Sequence, residues 1–207
     1  MGDNLIPNLG ARKRDHKIYI TDEAIEKVPY IEYQSIDRKH YDIIRRVIRE
    51  ALRIAKEKND SNEISIIYSL EWEKLQEKGQ EFMGISIGDE HSVNPTESTV
   101  AYHLVNSTLN CVIICVHNHP NLSKISLDDV KFFLRHESIK MLVAVTNLGS
   151  IFYMAKKDDF DWDIAAELFE EAISIHNLKP GDIKNAQKAA DYFVNNCYKA
   201  GIAYSDR

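Results

Sequence analysis

The sequence predicts an α/β (α+β) protein in which a mixed β-sheet is flanked by helices. Three observations lead there. Residues 41–58, "YDIIRRVIREALRIAKEK", carry apolar side chains at helical spacing. Residues 111–116, "CVIICV", form a short, almost wholly apolar and β-branched run, which suits a strand covered on both faces. Strand-like and helix-like segments interleave along the chain, but without the strict alternation that an all-parallel sheet requires.

Residues 1–39 mix Pro, Gly and charge without a sustained period; within them "HKIYI" (16–20) has the composition of a short strand. In the 41–58 helix, Ile43, Ile44, Val47, Ile48, Ala51, Leu52 and Ala55 share a face, and Arg, Lys and Glu occupy the others. "NDSN" (59–62) ends it, and "EISIIYSL" (63–70), β-branched and aromatic between turn residues, is predicted as a strand. "EWEKLQEKGQ" (71–80) reads as a polar connection, and "EFMGISIGDEHSV" (81–93) as a second strand with a turn at Gly88–Asp89. "TESTVAYHLVNSTL" (96–109) follows Pro95 as a helix with Thr96 as N-cap candidate. After the buried strand at 111–116, "SLDDVKFFLRHE" (126–137) is helical, and "KMLVAV" (140–145) and "SIFYMA" (150–155) are strands joined by a hairpin. Helices at 161–176 and 183–200 close the chain.

With 207 residues, 44% hydrophobic and 28% charged, the chain has the composition of a soluble globular protein. The net charge of −6 argues against nonspecific nucleic-acid binding, because a phosphate backbone rewards clustered Lys and Arg. Three cysteines are too few for a disulfide framework, and Cys111 and Cys115, inside an apolar run, are expected to be buried thiols. The first residues lack the apolar core of a signal peptide, and "MGDNLI" has Ile6 where a myristoylation site needs Ser or Thr. No apolar run is long enough to span a membrane, so a cytoplasmic location is expected.

The chemistry concentrates in "CVHNHPNLSKISLDDV" (115–130). In an extended segment residues two apart project to the same side, so His117 and His119 can share one cation. Pro120 biases His119 towards extended backbone, at a point where the chain leaves its strand. Two surface histidines at a strand end would look the same in sequence. Ser126 followed by Asp129 is the signature of a helix N-terminus, with Ser126 as N-cap. Asp129 could also turn its carboxylate to the histidines. Two imidazoles and one carboxylate suit Zn²⁺ and leave a fourth position for water.

His-x-His-Pro, a short spacer and Ser-x-x-Asp together resemble the motif of the JAMM (JAB1/MPN/Mov34) metalloprotease superfamily. The Asn between the histidines looks more like the prokaryotic and phage JAB-type or RadC-like branch than the eukaryotic deubiquitinases. One departure is that six residues (120–125) separate His119 from Ser126, where the commonest pattern has seven. The resemblance implies a JAB/MPN-like fold with cytidine-deaminase-like layering. It also implies one zinc per chain on His117, His119 and Asp129, Ser126 as donor to an oxyanion, and an upstream Glu as general base. Among Glu63, Glu71, Glu73, Glu81, Glu90 and Glu97, Glu63 fits best, because it follows the amphipathic helix and opens an apolar strand, 117 − 63 = 54 residues before the first histidine. Glu81 is the reserve.

The implied activity is hydrolysis of an amide by a zinc metallopeptidase or isopeptidase, on a protein or peptide substrate that includes ubiquitin-like tails. The alternatives are a RadC-like protein of DNA metabolism, or an idle JAMM-like module that only binds a partner. On this basis residues 1–39 are an N-terminal extension, 40–157 the metalloprotease-like domain, and 158–207 a helical extension packed on it.

Overall fold

The computed structural model describes residues 17–179 and 181–206. Residues 1–16, the first part of the N-terminal extension and including His16 of "HKIYI", lie outside the described residues. Residues 17–20 run without regular structure, so no strand forms there. Ile18 instead spends its backbone groups on Pro120 and Asn147 (2.7 Å each), which ties the segment to loops and leaves no sheet partner.

The chain order is α1 (Asp22–Lys27), a 3-10 turn, α2 (Tyr41–Lys58), β1 (Ile64–Ser69), α3 (Trp72–Glu77), β2 (Met83–Ile87), α4 (Thr99–Ser107), β3 (Ile113–His119), α5 (Leu127–Arg135), β4 (Ile139–Thr146), β5 (Ile151–Lys156), α6 (Trp162–Ile175), α7 (Ile183–Asn196), a second 3-10 turn and β6 (Ile202–Asp206). One six-stranded sheet has the order β2-β1-β3-β4-β5-β6. Only β3 and β4 run parallel, linked through α5; every other neighbouring pair is antiparallel. The mixed sheet flanked by helices is the predicted architecture.

The pleat sends alternate residues to two layers. Ile114 and Val116 of β3 and Ile64, Ile66 and Tyr68 of β1 join α1, α2 and Ile20–Ile36 on one side. Ile113 and Cys115 face the other side, where α4, α5, α6 and α7 pack. The amphipathic α2 has the predicted bounds and buries Ile44, Val47, Ile48, Ala51, Leu52 and Ala55. All seven residues of β3 are buried, the apolar Ile113–Val116 and the polar His117, Asn118 and His119 alike.

Four further expectations are corrected. The polar connection 71–80 contains α3, a helix with no fully buried residue, whose Trp72 packs on Phe82. The N-cap of α4 is Ser98, whose side chain accepts from Ala101 N, whereas Thr96 is held by Asn94 in the preceding turn. Cys111 is exposed because β3 begins only at Ile113, while Cys115 is buried as expected. Residues 197–200 form a 3-10 turn that Gly201 ends with a left-handed φ of 68°, and the chain then adds β6 to the sheet edge beside β5. An added Cβ at Gly201 would lie 2.4 Å from Asp159 O, so glycine is required on both counts.

Candidate metal centre

The site lies where β3 ends and α5 begins. The β1–β3 ladder pairs Ser65 with His117. The ladder ends there; Glu63, two residues before Ser65 and so of the same parity, lines one cleft with His117 and His119 on the face that α5 covers. The sheet and the α5 N-terminus thus bring together four residues from three segments.

His117 Nε2 lies 2.9 Å from His119 Nε2 and 3.0 Å from Asp129 Oδ1, and His119 Nε2 lies 3.6 Å from Asp129 Oδ2. Both histidines are buried, Asp129 is nearly so, and their ligand atoms all fall within 4.8 Å of one another. A tetrahedral ion with bonds of about 2.0–2.1 Å holds its ligand atoms about 3.3 Å apart, so this triangle has the size of a three-ligand metal site.

The donor chemistry fits as well. His119 Nδ1 is 3.0 Å from the Ser123 carbonyl, which can only accept. That contact places a proton on His119 Nδ1, so in the neutral imidazole Nε2 carries the lone pair and aims it at the triangle. Two nitrogens and a carboxylate facing one another need one cation between them. Without a metal, a proton on His119, held there by the hydrogen bond and charge of Asp129, can serve. His117 Nδ1, on the opposite edge of the ring, is buried with no partner among the described residues.

Electrostatics follow the geometry. Burial alone would raise the Asp129 carboxyl, but the charge and hydrogen bonds of His117 and His119 hold it well below the usual carboxylate range. Burial alone would lower His119, but the hydrogen bond and charge of Asp129 outweigh it and push its pKa up to about 9. Glu63 goes the other way from Asp129: burial raises its carboxyl, opposed by His119 and His117.

Asp129 divides its two oxygens between two tasks. Oδ2 accepts from Ser126 N (2.7 Å) and Ser126 Oγ (2.8 Å), and Ser126 Oγ accepts from Asp129 N, closing a capping box at the start of α5. Oδ1 faces His117. Capping and ligation are therefore compatible in one side chain. The Ser126 hydroxyl proton is donated to Asp129, so here Ser126 serves the carboxylate.

The spacer is shaped by polar contacts: Asn121 Oδ1 accepts from Ser123 N, and Ser123 Oγ as well as its carbonyl meets His119 Nδ1. Asn118, between the histidines, points to the opposite face and is fully buried. It joins Asn147, whose amide holds the carbonyls of Ile18 and Ser61. Sequence reasoning missed Ser123, Asn118 and Asn147. The signal for Asn118 was its even position between two odd-numbered ligands, which sends it across the sheet.

A cleft of about 670 Å³ opens over the triangle, lined by Glu63, the three ligand candidates and Ser126, and extending to His91 and His136. Glu81 is not among its lining residues; it is exposed and precedes β2 at the end of the sheet far from Glu63. Comparisons with family models, with curated proteins and with solved structures return no match. No helix among the described residues is long and apolar enough to cross a membrane.

Proposed function

We propose that the protein is a zinc-dependent metallopeptidase or isopeptidase that hydrolyses an amide bond, with ubiquitin-like tails among its candidate substrates. The observation that carries this is the convergence of His117, His119 and Asp129 under a cleft whose wall contains a half-buried carboxylic acid, Glu63. The resemblance of "HNHP…SLDD" to the JAMM motif supports the same assignment. Bound by these three residues, zinc would supply a Lewis acid and a water ionised near neutral pH.

The protein's own groups then have defined tasks. Glu63 stands on the same face as the histidines, and its burial raises it towards the range useful to a general base. It accepts the proton of the attacking water; the water oxygen bonds to the amide carbon. When the C–N bond breaks, Glu63 returns that proton to the leaving amine. Ser126 keeps Asp129 Oδ2 occupied, so that Oδ1 is left to the cation side. For Ser126 to donate to an oxyanion, its hydroxyl must first leave Asp129.

The test is Glu63→Gln, which keeps the shape and removes the proton acceptor. Zinc-loaded wild type and variant are assayed on linear and isopeptide-linked ubiquitin-like fusions. Hydrolysis should fall by about 10²–10⁴-fold, the usual worth of a positioned base, while zinc stoichiometry stays unchanged. Cleavage by Glu63→Gln at the wild-type rate refutes the assignment.

A further inference from the structure

We infer that Asn118 is a positioning residue for Glu63: its side-chain amide grips the main chain on both sides of that glutamate and fixes it against the histidine strand. The inference rests on the role of Glu63 proposed above.

The observations are these. The β1–β3 ladder stops at Ser65–His117, so the two strands part at Ile64, one residue short of Glu63. Asn118 bridges the parting. Its Oδ1 accepts from Ile64 N at 2.8 Å, and its Nδ2 donates to the Asn62 carbonyl at 3.1 Å. The same Nδ2 donates its second proton to Asn147 Oδ1 at 2.8 Å. Asn147 in turn donates to Ile18 O and Ser61 O, and its N–H donates to the His119 carbonyl at 3.0 Å. The partners of Asn118 flank Glu63 in sequence, and Asn118 itself lies between His117 and His119. One buried amide therefore couples the backbone of the base directly to the backbone of both histidines.

The chemistry requires an amide here. The site presents one N–H to be accepted and two oxygens to be donated to, which asparagine matches with one oxygen and two N–H groups. Aspartate has the shape but sets oxygen against two oxygens. Serine is too short to span the gap. Asn118 touches neither the cleft nor a ligand atom, so its influence on chemistry must pass through Glu63.

The experiment combines kinetics with amide exchange. Asn118→Ser is made alone and in the Glu63→Gln background, each loaded with zinc. Misplacement of about 1 Å can cost about 10²-fold in rate, so Asn118→Ser should lower kcat by up to that factor, with KM and zinc content little changed. In the Glu63→Gln background it should lower kcat no further. Full additivity of the two losses overturns the inference, because a merely structural defect would add.

The second arm uses metal-free wild type and needs neither a substrate nor a folded variant. The Ile64 amide and the Asn118 side-chain amide should exchange with solvent at least about tenfold more slowly than free amides, as buried, bonded groups do. Exchange at the free rate overturns the clamp. If wild-type protein cleaves none of the fusions, the hydrolase proposal fails, and the exchange arm still decides whether Asn118 holds the Glu63 segment.

Discussion

Replacing Asp129 with Asn asks whether this carboxylate is a metal ligand or only a helix cap. The two oxygens allow the costs to be separated. On the capping side, an Asn side chain can turn its remaining oxygen to Ser126 N, where Oδ2 now accepts at 2.7 Å. The helix then loses only the charge in its first turn, about 0.3–1 kcal/mol. On the other side, metal-free protein loses the contact between Oδ1 and His117 Nε2 at 3.0 Å. Hydrogen bonds to charged groups contribute roughly 1.5–3 kcal/mol, part of which the new Nδ2 recovers by donating to a histidine nitrogen.

A net loss of about 2 kcal/mol follows, or roughly 4–8 °C in Tm for a domain of this size, and thermal denaturation of metal-free protein measures it. Zinc affinity should fall much further, because an amide N–H₂ offers no lone pair. Loss of an outer-shell partner alone costs about 10–100-fold, so loss of the ligand should exceed about 100-fold in competition with a chromogenic chelator. Ser126→Ala is the control: it removes the cap, leaves Oδ1 in place and should stay within that 10–100-fold range. Wild-type zinc affinity in folded Asp129→Asn would refute the ligand assignment and leave Asp129 as a cap.

Two further outcomes are expected. His119, whose folded pKa of about 9 lies above its ordinary value of 6.5, stabilises metal-free protein fully below pH 6.5 and loses that contribution as pH rises to 9. Denaturant unfolding should show a loss of at most about 3 kcal/mol over that window. Zinc should restore progressively more stability as pH rises, and a flat metal-free profile would contradict the pairing with Asp129. Lys156, 2% exposed, donating to the His136 carbonyl and lying over the Phe133 and Phe160 rings, has its pKa lowered by burial to about 8. The unfolded chain binds the extra proton between pH 8 and 10.5, so stability rises with pH there; relative to Lys156→Met, wild type should gain about 3 kcal/mol across that window, measured by the same unfolding.

Much of the fold was legible because its core elements obey simple periods. The α2 face repeats at helical spacing, and β3 opens with an apolar run because helices cover both its faces. What escaped were elements whose stability comes from their neighbours. α3 buries no residue completely, and β6 is five residues whose pairing with β5 is invisible without the sheet. The same divide runs through the site. His117, His119, Ser126 and Asp129 announce themselves by spacing within one stretch of chain. Glu63 ranks above Glu81 in sequence because it follows the amphipathic helix and opens an apolar strand; that it lies beside the histidine strand needed the β1–β3 pairing, Ser65 opposite His117. Ser123 and Asn147 act through a carbonyl and a side-chain amide in loops, where sequence carries no period at all.

The short spacer between His119 and Ser126 shows why the local rules sufficed where they did. The chain must turn from the end of β3 to the start of α5 within six residues, 120–125. Asn121 folds back on Ser123, Ser123 accepts from His119, and Ile125, 1% exposed, plugs into the α5 layer. The polar contacts set the tautomer of His119, and the apolar anchor sets where α5 starts. Ser126 then caps the helix, and the cap orients the carboxylate whose other oxygen completes the triangle. Each step fixes the next, so a change in loop length need not move the ligands, provided that a carbonyl still meets His119 Nδ1 and a buried residue still precedes the cap.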